Sequence, residues 1–550
     1  MKKILTSLLL CVPMLVNAQA ATDAYTLSQT DLKGTARYMS MAGAFGALGG
    51  DLTAVNKNPG GIGVYRSSDV GITLNLDLQT VDASSQGLAT KTSQTKFNCS
   101  NFGYVGALRL SSETMPFINW GFSYNRPVSY NRKYSGKIDN INSSLSNYIA
   151  TVTNRQGYTS YDLAFEEAAN GDVIYDPYID SYAPWLSIMA YNSFIMNPGI
   201  YDTNGVGHEF RGLMNAKTLG FSEYEVVEKG GVDEFNVNFG GNVADKLYWG
   251  FAFGIDNMSF SKYTYYGEGL TDATVAANDN GALDNNGSAS YGLENWLNTS
   301  GNGWNFKLGV IYKPINELRL GLAFHTPTYW ALTDEAYSVM NFETISSSND
   351  FIASGTEEAN AGYVDEVDYR VQTPWKMNAS AATVIGGKAI VSLEYERVAY
   401  NDMNVEYGNG YGSYSENKEI TNSIKEYYKA MNIFRIGAEY RLSPKVSLRL
   451  GYAYQSSPVN ENALNGSAEI ITAGTMPSYS FDKSTQYVTG GLGYRSGGFY
   501  TDLAYVYKMR TSEYSAYSPY DDNVGGYIQA PNATIKDKNS QLVWSIGYRF

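Results

Sequence analysis

The chain is poor in the residues that carry out covalent chemistry. It has two histidines and two cysteines in 550 residues. Cys11 falls in the expected leader, so Cys99 stands alone and an intramolecular disulfide is excluded. His208 and His325 have no cysteine or histidine at ligand spacing, which argues against zinc and supports a haem ligand poorly. No Gly-x-Ser-x-Gly elbow occurs, and Cys99 has no histidine nearby in sequence. The chain therefore does not read as an enzyme, and neither a metal nor a cofactor is expected.

Charge is also scarce, at 17% of residues against about a quarter in ordinary soluble domains. The net charge of −14 is the wrong sign for a nucleic-acid partner. Beyond the N-terminus there is no apolar run of the length a membrane helix needs, about eighteen residues. If the chain enters a membrane, it does so as strands.

The N-terminus reads MKKILTSLLLCVPMLVNAQA. Lys2 and Lys3 precede an apolar run over 4–16, and small residues follow at Ala18 and Ala20. This is the pattern of a secretory signal peptide over 1–20. The run is too short to span a bilayer, and Leu9 and Leu10 before Cys11 lack the small residue of a lipoprotein site.

What is abundant is tyrosine (47) and glycine (55). Tyrosine suits interfaces because its ring is apolar and its tip polar, and transmembrane barrels carry aromatic girdles. The last ten residues, QLVWSIGYRF, put Leu542, Trp544, Ile546, Tyr548 and Phe550 on one face of a period-two strand. Val446, Leu448, Leu450, Tyr452 and Tyr454 repeat the pattern, as do Trp249, Phe251, Phe253 and Ile255, and Val391, Leu393 and Tyr395. Alternation alone fits a soluble sandwich as well as a barrel.

Link lengths separate the two. Short links are expected at 112–116, 243–246, 313–316, 386–388, 443–445 and 496–498. Long ones are expected at 80–98, 131–230, 265–302, 331–365, 407–428, 457–484 and 514–538. They alternate strictly, as tight periplasmic turns and long extracellular loops do. Thirteen links join fourteen strands if 221–227, which also alternates, is counted with the second loop. The fold class is thus an all-β transmembrane antiparallel barrel of about fourteen strands, spanning 68–550, in the outer membrane of a Gram-negative cell. The run TDATVAANDNGALDNNGSASYG does not match calcium-loop spacing and reads as solvated loop. The largest loop, 131–230, is too apolar in APWLSIMAYNSFIMNPGIY for a free loop, so it should pack over the mouth or bind something.

A fourteen-stranded barrel is too wide for its own wall side chains to fill. The glycine-rich segment 21–67 has no strand of its own and is expected to fold into the lumen as a hatch. Here the sequence resembles the FadL-type outer-membrane transporters of long-chain fatty acids and other hydrophobic compounds. The resemblance rests on Met41, Ala42, Gly43, Ala44 and Phe45, then Asp51, then Asn58, Pro59, Gly60, Gly61 and Ile62. Gly60 stands where the family usually has alanine, which would loosen that turn. The hairpin GNGWNFKLGVIYKPINELRLGLAFHTPTYW (301–330) resembles a second family stretch.

The resemblance implies a hatch-closed fourteen-stranded barrel and a distortion of the third strand that opens the wall sideways. Pro127, which cannot donate a ladder hydrogen bond, is the candidate for that distortion, or merely marks the strand end. Arg435, Arg441 and Arg449, with Glu439, form a lumenal charge belt. They either pair with carboxylates or contact the head group of an amphipathic acid. The function implied is passive uptake of hydrophobic or amphipathic small molecules such as long-chain fatty acids, with outer-membrane lipids including lipopolysaccharide around the wall. The rival is a non-transporting barrel that docks protein subunits of a secretion or assembly complex through its extracellular loops.

Link length sets the orientation. Epitope tags at 407–428 and 514–538 should be reached by antibody on intact cells, and tags at 443–445 and 496–498 should not. The reverse pattern would overturn the assignment.

Overall fold

The computed structural model describes residues 21–550 except 87, 169, 279–280, 409–412, 473 and 522–526. The expected leader, 1–20, lies outside the described residues. Fourteen antiparallel strands form the wall. They are β1 (Asp69–Ser85), β2 (Leu88–Arg109), β3 (Phe117–Ser129, continued by Arg132–Asp139), β4 (Leu219–Val243), β5 (Leu247–Ala276) and β6 (Leu283–Tyr312). Next come β7 (Leu318–His325 and Tyr329–Ile345), β8 (Asp365–Gln372 and Lys376–Ile385) and β9 (Ala389–Ala399, continued by Asn404–Gly408). The wall ends with β10 (Ala430–Arg441), β11 (Val446–Gln455), β12 (Tyr479–Ser496), β13 (Phe499–Ser515) and β14 (Asn532–Arg549). Each pairs with the next, and β14 returns to β1 from Asp69↔Arg549 to Ser84↔Thr534. The sheet is closed, which removes the free edges that hydrocarbon would not tolerate.

The alternation seen in sequence is the alternation of faces. On β14, Trp544 is 47% exposed on the outer surface while Val543 and Gln541 are fully buried inside. Tyr312, Tyr440, Tyr494 and Tyr548 sit at or near the short-turn ends of their strands and point outward, where a girdle belongs.

Besides 331–365, whose part up to 345 belongs to β7, three expected loops are corrected. The segment 80–98 is mostly strand, with a turn at Gln86. The segment 265–302 is mostly the outer part of the β5–β6 hairpin, paired from Leu247↔Tyr312 to Ala276↔Leu283. Residues 221–227 belong to β4, so the largest connection, expected at 131–230, runs only over 140–218. The cause is common to all three. Apolar alternation ends where the wall leaves the hydrocarbon, but the backbone ladder continues with polar residues on its outer face. Thirty residues of β5 extend to about 100 Å along the strand, far more than the roughly 25 Å apolar band requires.

The chain before β1 lies inside the wall. It forms α1 (Ala21–Ser28), α2 (Ala36–Ser40), α3 (Ala54–Lys57) and a 3-10 turn at Pro59–Val64. Thr35 caps α2 by accepting from the Tyr38 N–H (3.2 Å). Asp51 ties the segment together, accepting from the Thr35 hydroxyl (2.7 Å) and the Thr53 N–H (2.9 Å). Asn58 caps the 3-10 turn by accepting from the Gly60 N–H (3.0 Å), with Pro59 at the first position.

Glycines of the wall let this segment sit directly on it. A Cβ on Gly321 would lie 2.5 Å from the Gly46 carbonyl oxygen, and one on Gly437 would lie 2.7 Å from that of Met41. A Cβ on Gly491 would meet that of Ser40 at 2.6 Å. Gly60 is needed for the same reason: a Cβ there would stand 2.9 Å from the Gly309 carbonyl oxygen. The glycine at this position seats the turn against β6 and does not merely loosen it, which corrects the expectation from sequence.

Two outcomes follow from this packing. Ile546→Arg, on the lipid face, should lose about 2–4 kcal/mol near the midplane, read by denaturant titration in bilayers; a wild-type midpoint would refute the facing. Deleting 30–60 should leave a heat-modifiable folded barrel, because the wall ladder does not include it, and should raise single-channel conductance in planar bilayers. An unchanged conductance would show that the segment does not close the lumen.

Candidate functional site

Buried polar contacts around the wall hold the lumenal segment. Lys33 Nζ meets Asp77 on β1 at 2.8 Å and donates to Gln541 on β14 at 2.9 Å. Asp31 meets Lys508 on β13 at 2.8 Å and accepts from the Tyr487 hydroxyl. Arg37 meets Glu439 at 3.1 Å and Lys57 meets Glu396 at 3.3 Å. The backbone N–H groups of Phe45 and Gly46 both donate to Glu394, at 3.1 and 2.8 Å. Burial opposes ionisation of Asp31, but the Lys508 and Lys33 ammoniums and two hydrogen bonds hold its carboxyl well below the usual range. A depressed carboxyl stabilises above its ordinary pKa and loses that contribution only as pH falls through the folded value. This tie is therefore intact at neutral and mildly acidic pH.

The residues singled out by sequence fall in different places. Asn58 and Pro59 lie inside the wall: Asn58 donates to the Gly46 carbonyl (2.6 Å) and to that of Val310 on β6 (3.1 Å). Gly60 and Gly61 are buried beside them. Arg435 meets Glu394 at 2.8 Å and Glu396 at 2.7 Å. Arg449 meets Glu439 and Asp502, both at 2.6 Å. The head-group reading of these two is corrected: each guanidinium is occupied by two carboxylates. Direct cross-strand register brings Glu394 opposite Arg435 and Glu439 opposite Arg449. Arg441 is exposed at the short-turn end of β10. None of the three lines the four cavities described next.

Pro127 lies at a bulge, where two residues of β3, Arg126 and Pro127, oppose the single Asp233 of β4 between the pairs Asn125↔Glu234 and Val128↔Val232. The β2–β3 ladder stops at Asn101↔Asn125, and above it Leu88–Ser100 of β2 pairs with β1 alone. A seam without ladder hydrogen bonds thus runs up the wall beside Pro127. Its carbonyl oxygen accepts from the Asp31 N–H at 2.9 Å. The bulge and the lumenal segment are therefore tied at one residue.

Four cavities follow α1 down the lumen. A mouth cavity of about 2,060 Å³, including its opening, is lined by Ala21 and by two helices of the 140–218 connection, α4 (Leu145–Gln156) and α5 (Trp185–Asn192). It is lined too by α6 (Lys418–Tyr427), in the β9–β10 connection. A side cavity of about 670 Å³ touches Thr22 and Asp23, with Trp185, Leu297, Ala336 and Met476. A central polar cavity of about 1,350 Å³ touches Tyr25, Thr26 and Gln29. A seam cavity of about 910 Å³ touches Leu27 and Ser28, together with Pro127, Val128, Val232 and Trp330. Tyr25 anchors the helix: its hydroxyl donates to Asp482 (2.8 Å), and its ring stacks on Tyr428 (5.0 Å) and meets Tyr400 edge-on (5.1 Å).

Sequence reasoning missed Tyr25, Asp31 and Lys33. Asp31 and Lys33 stand among polar residues near α1, with nothing local to show that their partners lie on β13 and β1. Among the described residues no helix is long and apolar enough to cross a membrane, and no group of three or more His, Cys, Asp or Glu is placed to hold a metal ion.

Residues 223–485 match the family described as outer membrane protein transport protein (OMPP1/FadL/TodX). No curated protein sequence matches the chain. Among solved structures, a FadL homologue of Pseudomonas aeruginosa is similar at 11% identity and a TM-score of 0.50, over 95% of this chain and 99% of the other. The toluene transporter TodX of P. putida is similar at 15% identity and a TM-score of 0.45, over 94% and 99%. The matched segment, just under half of the chain, is thus similar to the OMPP1/FadL/TodX outer membrane transport family, and the fold is FadL-like.

Proposed function

We propose that the chain passes hydrophobic or amphipathic small molecules, long-chain fatty acids among them, passively inward across the outer membrane. The leader at 1–20 would direct it there, and membrane lipids including lipopolysaccharide would surround the wall. The ligand enters by the mouth cavity, a fatty acid through its apolar chain and against the carboxylates of that lining, follows α1 to the seam cavity, and leaves sideways beside Pro127 or past the lumenal segment 21–67, which acts as the hatch. One observation carries the reading: a single short helix borders every cavity from the mouth to the seam. Displacing it would merge separate spaces into one path. The seam cavity is suited to an amphiphile, since Leu27, Val128, Val232 and Trp330 share it with a polar group made of the Lys307–Glu234 pair, Asp256 and Lys376.

Ser28 faces the seam cavity from the end of α1 and is buried. Ser28→Trp should obstruct the path without touching the wall ladder. Uptake of a fluorescent fatty acid by proteoliposomes should fall to the level of protein-free vesicles, with unchanged barrel yield. Uptake at the wild-type rate would overturn the route.

A further inference from the structure

We infer that the mouth cavity is a receptor site for organic cations, binding an ammonium head group next to an apolar or aromatic body. The inference rests on the proposed uptake reading and adds a charge preference to it. Tyr148, Tyr158, Tyr182, Trp185, Tyr427 and Tyr527 line the cavity, so aromatic rings from several elements border a ligand there. Ile149, Leu186, Ile420 and Ile470 supply the apolar floor. The charged residues on the lining are all carboxylates: Glu419, Glu426 and Glu469.

Glu469 is neutralised by Arg155 at 2.7 Å. Glu419 and Glu426 stand exposed on α6, seven residues apart, and among the described residues neither has a cation within 4.0 Å. Lys418 and Lys425, on the same helix, do not line the cavity. An amino terminus processed at Ala21 would add one positive charge beside the lining and still leave a carboxylate in excess.

The wall places this site unusually low. β10 and β11 have 12 and 10 residues, against 30 each in β5 and β6. At about 3.4 Å per residue and a tilt of 35–45°, the two short strands rise little above the apolar band. The cavity, bordered by α6 just before β10 and by 467–472 between β11 and β12, therefore opens near the outer membrane surface.

Aromatic faces attract a cation through the ring quadrupole, and a nearby carboxylate adds a Coulomb term of the same sign. A carboxylate ligand meets neither: it faces two unpaired like charges and the negative faces of the rings. Exposure screens the glutamates, so the rings carry the larger share.

The test uses three matched probes, 4-phenylbutyltrimethylammonium, 4-phenylbutanol and 4-phenylbutanoate. They are titrated calorimetrically into the full chain in phosphatidylcholine nanodiscs, with empty nanodiscs as blank. The ammonium should bind about tenfold more tightly than the carboxylate, with the alcohol between them. The Glu419→Gln/Glu426→Gln variant alters exposed side chains only and should narrow that gap while leaving the alcohol unchanged. Trp185→Ala should weaken all three. Equal or tighter binding of the carboxylate, or a gap that survives the double variant, would overturn the charge preference and leave uptake standing. Failure of all three probes to bind would remove the mouth cavity as a site and the uptake reading with it.

Discussion

A closed sheet of fourteen strands encloses more space than its inward side chains can fill, and the rest of the structure answers that constraint. The answer is a plug made from the chain's own beginning, fitted by two devices. Wall glycines such as Gly309, Gly321, Gly437 and Gly491 bring its backbone against the sheet at one level. Buried charges on β1, β9, β10 and β13 then fix its position. The wall's own charge belt shares in this. Glu439 bridges Arg37 of the plug and Arg449 of β11, while Glu394 accepts from Arg435 and from two plug amides. The belt is thus a socket.

The unequal height of the wall is the second organising feature. The long β5–β6 hairpin carries the ladder far beyond the apolar band, while β10 and β11 stop early. Where the wall is low, α6 and the segment after β11 stand in its place, packed through Ile420, Ile424, Tyr427 and Ile470 onto α1 and the inner wall. The apolar 140–218 connection closes the other side, with Ile149, Ile188, Met189 and Met196 in its core. Residues that looked too apolar for a free loop are buried because this connection is a cap.

Much of this was legible in the sequence, for physical reasons that also mark where legibility ends. Strand count and facing could be read because hydrocarbon demands an unbroken apolar outer face, as in Trp544, Ile546 and Tyr548. Outer strand lengths could not, since Thr264 and Asn295 pair in a ladder that solvent leaves unmarked. The plug could be placed from its composition and the run through Asn58 and Pro59. Its partners could not, because Asp31 and Lys508 are far apart in the chain and meet only through closure. The glycine socket did leave a signal that was not used: glycine recurs at inward positions of β5, β6, β7, β10, β11 and β12. Arg435 and Arg449 were read correctly as lumenal, but only register showed that carboxylates saturate them.

The two ends of the lumenal segment are held by different forces, and this bears on what can move. Below, Lys33, Arg37 and Lys57 are held by ion pairs inside a polar lumen. Buried pairs of this kind fix geometry strongly while adding little net stability, because desolvation offsets attraction. An apolar ligand cannot replace them. Above, α1 is held by Ala24, Tyr25 and Leu27 against Tyr400, Tyr428 and Phe481. Apart from the Tyr25–Asp482 hydrogen bond, those contacts are apolar and aromatic, so a hydrophobic ligand can take the place of either partner. The element that borders all four of these cavities is thus the one whose attachments a ligand can exchange. The part that seals the barrel is attached by interactions to which such a ligand is indifferent. Under the proposed uptake, a ligand would shift α1 while the ion-paired part below keeps its place.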